Sequence, residues 1–270
     1  MKLSNVFSRK NRILLRELVI TDFKLRYQGS VLGYAWSLLK PLFLFAIMYV
    51  VFGKLMKFGS VEHYAIYLLF GIVLWNFFLE ATSQGMASIV ARSDLLRKIN
   101  FPKYIIVLSA TISALINLAL NLVIVAIFMI VNGVSLRLVF ITTPIYMAEI
   151  YIFALGIAFL LSALNVRFRD ISHIWEIVTQ AAFYATPIIY PLSIIIAKSR
   201  LAAQLLMLNP IAQAIQDARY ALVTKQTMTF ADLFPHHQYL LVIPYSIVVL
   251  MLVVGGLYFK KHSKYFAENI

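Results

Sequence analysis

The 270-residue chain has no cysteine, so neither a disulfide framework nor thiol chemistry is open to it. Charge is scarce as well: 13% of residues are Asp, Glu, Lys or Arg, about half the share of an ordinary soluble domain. No long polar stretch is left for a separate soluble domain, and there is no internal repeat, low-complexity tract or long linker. Residues 1–28 are basic and broken by charge, with no apolar core ending in small residues, so a cleaved signal is not expected. The motifs of several chemistries are missing. There is no G-x-x-x-x-G-K-[ST] phosphate loop and no glycine cluster to cradle a nucleotide. There is no H-E-x-x-H zinc pair, no G-x-S-x-G nucleophile turn and no Asp-x-Asp pair for a metal-dependent glycosyltransferase. His236 and His237 are adjacent, which does not make a metal site. No metal is therefore expected, and the chain is not expected to be an enzyme.

What is abundant is apolar sequence. The chain is 62% hydrophobic with a mean hydropathy of +0.86, and apolar runs of about 20 residues recur along it. It reads as an all-α polytopic membrane protein with six transmembrane helices, near 33–52, 64–86, 104–131, 139–164, 174–190 and 239–259. Alternate connections are rich in basic residues. Sixteen Lys and Arg fall on the side of the N-terminal segment, the 92–103 loop, Arg167 and Arg169, and the tail, against seven on the other. The positive-inside rule then places both termini in the cytoplasm, as an even number of spans requires. Orientation and anionic lipid account for the net charge of +13 before nucleic acid does.

Two segments do not cross. Residues 8–28 form an amphipathic helix along the cytoplasmic interface. Leu14, Leu15, Leu18, Val19, Phe23 and Leu25 share one face, and Asp22 and Arg26 interrupt it one turn apart. That face reads either as a membrane-surface anchor or as a surface where the Asp22–Arg26 pair is buried against other protein. Residues 191–238 hold two stretches too short to span and too apolar for solvent, broken at Asn209-Pro210. They read as re-entrant or interfacial half-helices on the outer face. The domain plan is thus an interfacial helix over 1–31, a transmembrane domain over 32–260 and a cytoplasmic tail over 261–270.

The segment from Arg92 to Lys103 is short, basic and half apolar, with helix-forming spacing and a stop at Pro102. It is either a solvated topology loop or a docking element. Ionisable and amide groups inside spans are the other candidates, because they are expensive there. They are Glu80, Glu149 and Glu176, with Asn117 and Asn121 one turn apart. Each serves either as a structural hydrogen bond between helices or as a contact for polar substrate. Aromatic residues make up 14% of the chain. Most belong to lipid-facing packing or interface belts, and an inward subset would make stacking platforms for sugar rings.

Several segments, in order, resemble the type-2 ABC transporter permeases that export bacterial polysaccharides, O-antigen and teichoic acid. They are Asp22-Phe23-Lys24-Leu25-Arg26-Tyr27-Gln28-Gly29 continuing to Lys40-Pro41; Leu95 to Pro102; Asn165-Val166-Arg167-Phe168-Arg169-Asp170-Ile171; Ala185-Thr186-Pro187-Ile188-Ile189-Tyr190-Pro191; Asn209-Pro210-Ile211 with Arg219-Tyr220-Ala221-Leu222; and Tyr258-Phe259-Lys260-Lys261. The wording is most similar to Gram-positive wall-polysaccharide members, exporters of rhamnose polymers or teichoic acid. The resemblance implies a permease homodimer in the bacterial cytoplasmic membrane, each copy bound to a separate ATPase subunit that holds ATP and Mg. It implies a polysaccharide carried on a polyprenyl diphosphate as substrate.

On that reading Arg92, Asp94, Leu95, Leu96, Arg97, Lys98, Ile99 and Phe101 form the ATPase-coupling helix, with Leu95, Leu96 and Ile99 entering an apolar cleft of the partner. Asp22, Arg26, Lys40, Arg167, Arg169 and Asp170 lie at the level of the substrate diphosphate. The channel lining is expected from Tyr34, Trp36, Phe43, Tyr49, Trp75, Phe78, Asn117, Asn121, Glu149, Phe183 and Tyr184. The rival readings are a type-2 ABC exporter of a drug or lipid, a membrane glycosyltransferase or polymer ligase, and a gradient-driven flippase.

Overall fold

The computed structural model describes residues 8–26, 29–30, 32–33, 35–58, 61–135 and 137–266. The side chains of Leu25, Arg26 and Gln238 are not among the described features. Every regular element among the described residues is helical.

The first helix, α1 (Arg9–Arg26), is amphipathic as its pattern demands. Leu14, Leu15 and Leu18 pack inward while Arg16, Glu17, Thr21 and Lys24 stay exposed. It lies along α5 (Tyr104–Val131), so the apolar face is covered by protein. Next, α2 (Ala35–Met48) runs directly into a π-helical stretch, Tyr49–Leu55, giving one apolar stretch of 21 residues. Pro41 sits inside α2, and its missing N–H leaves the carbonyl of Ser37 without the usual i+4 donor. Asn121 Nδ2 of α5 donates to that carbonyl at 3.4 Å.

The central element is α3 (Tyr64–Ala91), 28 residues buried over most of its circumference. Such a helix must be apolar all round, and it packs between α5 and α6 (Thr143–Arg167). Small residues let these helices approach closely. A Cβ at Gly85 would run into the Ala158 side chain. Likewise Gly156 of α6 and Gly255 of α12 (Val242–His262) meet so closely that a Cβ on Gly255 would strike the Gly156 carbonyl.

Among the described residues five stretches are long and apolar enough to cross a membrane: Ala35–Leu55, Tyr64–Ala91, Tyr104–Val131, Leu138–Arg167 and Tyr239–Tyr265. They coincide with five of the six expected spans. The sixth, expected over 174–190, is α7 (Ile171–Ala185), 15 residues long. At 1.5 Å per residue that is about 22 Å, short of a hydrocarbon core of about 30 Å. The helix stops because Pro187 disfavours helical backbone at Thr186, which is extended at ψ 137°.

Residues 191–238 form four short helices rather than two: α8 (Leu192–Lys198), α9 (Arg200–Met207), α10 (Pro210–Leu222) and α11 (Phe230–Leu233). Ser199 splits what reads as one apolar run, because its hydroxyl caps α9 by accepting from the Ala202 N–H at 3.2 Å. Asn209 caps α10 in the same way, with Pro210 at the first helical position. This end has its own small core of Leu192, Ala203, Met207, Phe230, Leu233 and Phe234.

Candidate functional site

The packing of α3 leaves one stripe of it uncovered. Asn76, Leu79 and Ser83, at spacings of three and four, face outward with Leu44 of α2 and line two adjoining cavities. The first is about 510 Å³ and lies against α7, walled by Trp75, Trp175, Phe183 and Tyr184, with Glu176, Thr179 and Gln180 between them. The second is about 620 Å³ and lies against α2 and α5, lined by Trp36, Ser37, Lys40, Glu80, Gln84 and Asn117. Four shared residues make the two one continuous groove.

Its polar side is ordered. Glu80 Oε1 accepts from Gln84 Nε2 at 2.9 Å and from Asn117 Nδ2. Asn121 Nδ2 in turn donates to the Asn117 carbonyl at 2.8 Å. A ladder of amides and one carboxylate thus runs from α2 across α5 to α3. The aromatic side is ordered too. Trp75 packs on Phe183 with centroids 5.8 Å apart, and Trp175 Nε1 donates to Thr82 Oγ1 at 3.2 Å. Flat π faces beside fixed amides and hydroxyls suit a solute that alternates C–H faces with hydroxyl groups.

At the α1 end of the molecule a second surface is built around α4 (Ser93–Lys98). Arg92, just before α4, makes an ion pair with Asp22 of α1. Beyond α4, Lys103 donates to the Ser263 carbonyl and lies 5.7 Å over the Phe266 ring. The short helix is therefore pinned on both flanks, and Leu96 is buried beneath it among Leu18, Ile89 and Ile105. Asp94, Arg97, Lys98 and Ile99 project outward, Ile99 being 53% exposed. Asp94 in the first turn and Arg97 and Lys98 in the last complement the helix dipole. Among the described residues no group of three or more His, Asp or Glu is placed to hold a metal ion.

Residues 13–223 match the family model described as ABC-2 type transporter. The chain belongs to the ABC-2 type transporter family. Similar curated proteins include the O-antigen export system permease protein RfbA of Myxococcus xanthus, 28% identical over 259 residues and 96% of each chain. Two proteins of the same name from Klebsiella pneumoniae are 28% and 29% identical over 258 and 254 residues, each covering 93% of both chains.

In this ABC-2 chain the groove gathers Trp36, Lys40, Trp75, Asn117, Phe183 and Tyr184 from the expected lining and diphosphate residues. Asn121 stands behind it. Other expected residues lie elsewhere. Phe78 is buried against Phe153 and Trp175, Tyr49 is stacked between Phe45 and Tyr64, and Phe43 is exposed on α2 outside the groove. Glu149 is buried on α6, facing Gln213 and Asp217 of α10, because the strip of α6 it occupies packs on that helix. Arg167, Arg169 and Asp170 are exposed where α6 gives way to α7. Tyr34 and the Arg26 side chain lie outside the described features, and Asp22 pairs with Arg92. The Leu96 side chain, expected to enter a partner, points into the chain instead.

Sequence reasoning missed Asn76, Ser83, Trp175, Thr179 and Gln180. The signal was present: Trp175, Thr179 and Phe183 recur every four residues on one face of α7. The same reasoning named Arg219 only within a resembling segment and not as a residue buried completely at the α8–α11 end, and it missed Asp217, whose carboxyl is pushed up by burial against the hydrogen bonds it accepts from Gln213 and the Phe230 N–H.

Proposed function

We propose that this chain is the membrane-spanning permease subunit of an ATP-driven exporter, moving a polysaccharide carried on a polyprenyl diphosphate across the cytoplasmic membrane. The observation that carries the reading is the groove of α2, α3 and α7. It is a polar and aromatic strip along helices that otherwise belong in lipid, and its chemistry matches that of a sugar polymer. The relatives, named as O-antigen export permeases over nearly their whole length, support the same substrate class. A Gram-positive wall polymer is a narrower form of it.

The groove is half a conduit, and a second copy of the chain closes it. Both termini are cytoplasmic, α7 with the non-helical 186–190 turn segment completes the sixth crossing, and α8–α11 face outward. Lys40, Arg167 and Arg169 meet the diphosphate at the cytoplasmic level, where guanidinium and ammonium groups give charge-assisted hydrogen bonds to phosphate oxygens. ATP and Mg are held by a separate ABC ATPase, which docks on Asp94, Arg97, Lys98 and Ile99 and pushes on α4. Because Arg92 and Lys103 tie α4 to α1 and to the segment that follows α12, the push reaches α3 and α5 as movement of a rigid block.

The test is affinity purification of the tagged chain from its own membranes, with analysis of the polymer. An ABC ATPase in equal amount is expected, and deletion of the chain is expected to leave lipid-linked polymer inside the cell. Normal surface polymer in the deletion strain would overturn the reading.

A further inference from the structure

The α7 helix wall of the groove ends at Ala185, and the chain continues without helical hydrogen bonds through Pro187, Ile188 and Ile189. Those three carbonyls need donors from elsewhere. Arg219 of α10 supplies two of them: Nη1 donates to the Pro187 carbonyl at 2.7 Å and Nη2 to the Ile188 carbonyl at 2.7 Å. Its Nε donates to the Tyr67 carbonyl of α3 at 2.9 Å, and the guanidinium lies 3.6 Å over the Tyr67 ring. Tyr64 of α3 completes the set, its hydroxyl donating to the Ile189 carbonyl at 2.7 Å. Arg219 is 0% exposed, and no carboxylate pairs with it among the described residues. Gly71 of α3 makes room, since a Cβ there would collide with the guanidinium.

We propose that Arg219 is a positioning residue for export: it locks α10, α3 and the end of the groove-lining helix α7 into one body, so that the width of the groove at this end is set by where α10 sits. The inference rests on the exporter reading for its role, and on the hydrogen bonds alone for the lock. A guanidinium is the side chain that fits, because its planar fork sends donors in three directions at once; a lysine ammonium at the same place does not span the Tyr67, Pro187 and Ile188 carbonyls together. A buried cation held by carbonyl dipoles and one aromatic face, with no carboxylate, is strong while every bond is made and costly once one is lost.

The test uses the whole complex with its ATPase in proteoliposomes, probed with a total lipid extract of the producing cells. The chain is free of cysteine, so Ile188→Cys alone reports on the lock by maleimide labelling, being fully buried when the lock is closed. Arg219→Lys is expected to assemble with the ATPase and keep its basal hydrolysis. Its maximal stimulation by the extract is expected to fall about tenfold, the equivalent of one charge-assisted hydrogen bond, while Ile188→Cys becomes labelled. Gly71→Ala displaces the same guanidinium from the opposite side and is expected to reproduce both effects in a chain that keeps its arginine. Wild-type stimulation in both variants overturns the proposal, as does lost stimulation with Ile188→Cys still protected. A wild-type complex that does not respond to the extract counts against the exporter reading instead. Labelling then decides the lock by itself, and continued protection in Arg219→Lys overturns it.

Discussion

Pro41 shows how a single residue is accommodated inside a membrane helix. Asn121 donates to the Ser37 carbonyl that the proline cannot serve, and its same nitrogen donates to the Asn117 carbonyl one turn back. Asn121→Leu removes both bonds and is expected to lower the melting temperature of the purified chain. The loss should be about 1 kcal/mol, since hydrogen bonds between membrane helices are worth less than their number suggests. Glu149 makes the opposite case. Only 4% exposed, its carboxyl lies beside a second acid, Asp217, and beside Gln213, whose own side-chain oxygen is unpartnered among the described residues. Glu149→Gln replaces one carboxyl oxygen with an amide that donates toward those acceptors, so it is expected to raise the melting temperature by a few degrees, about 1 kcal/mol. A scan in detergent compares both variants with wild type, and a fall for Glu149→Gln would refute the argument.

At the scale of elements, the long spans were legible because apolar runs of the right length leave few alternatives, and α1 because its period was visible from Leu14 to Phe23. The end of α7 was not. Residues 174–190 form one apolar run, and only the effect of Pro187 on the residue before it separates helix from turn. Ser199 hid the break between α8 and α9 in the same way, since a serine inside an apolar run reads as a helix residue until its hydroxyl is seen to cap. The groove was half legible. Its aromatics stood out by type, while Asn76, Ser83 and Thr179 become meaningful only once α3 and α7 are side by side. The 92–103 segment was legible as a short helix, but the inward turn of Leu96 depends on α1, which the local spacing does not report. The exposed residues of α4 carry a direct expectation. Arg97→Glu with Lys98→Glu should reduce co-purification of the ATPase about tenfold or more, as reversal of a charged contact does, and leave the melting temperature of the isolated chain unchanged. Co-purification at the wild-type level would remove α4 as the docking element.

For the molecule as a whole, the decisive contrast is between two exposed faces. Over residues 249–257 the exposed face of α12 is apolar, made by Val249, Leu250, Val253, Val254 and Leu257, which is what lipid requires. The face of α2 and α7 also exposes large apolar residues, Phe43, Ile47, Ile174 and Ile177 among them. Beside these runs the groove, with Lys40, Glu80, Glu176 and Gln180. Lipid does not solvate such groups, so polar groups at membrane depth must face protein or enclosed water. On the two-copy reading proposed above, a second copy applied to this face would cover the apolar flanks and enclose the polar strip, by the two-fold symmetry most oligomers use. The cysteine-free chain makes this measurable without background. Ile177→Cys, on an exposed apolar flank of α7, is expected to form a disulfide-linked dimer on mild oxidation in native membranes. Val253→Cys on α12 is expected to stay monomeric under the same conditions. Cross-linking through Val253→Cys and not Ile177→Cys would turn the groove away from the partner copy and end the two-copy conduit.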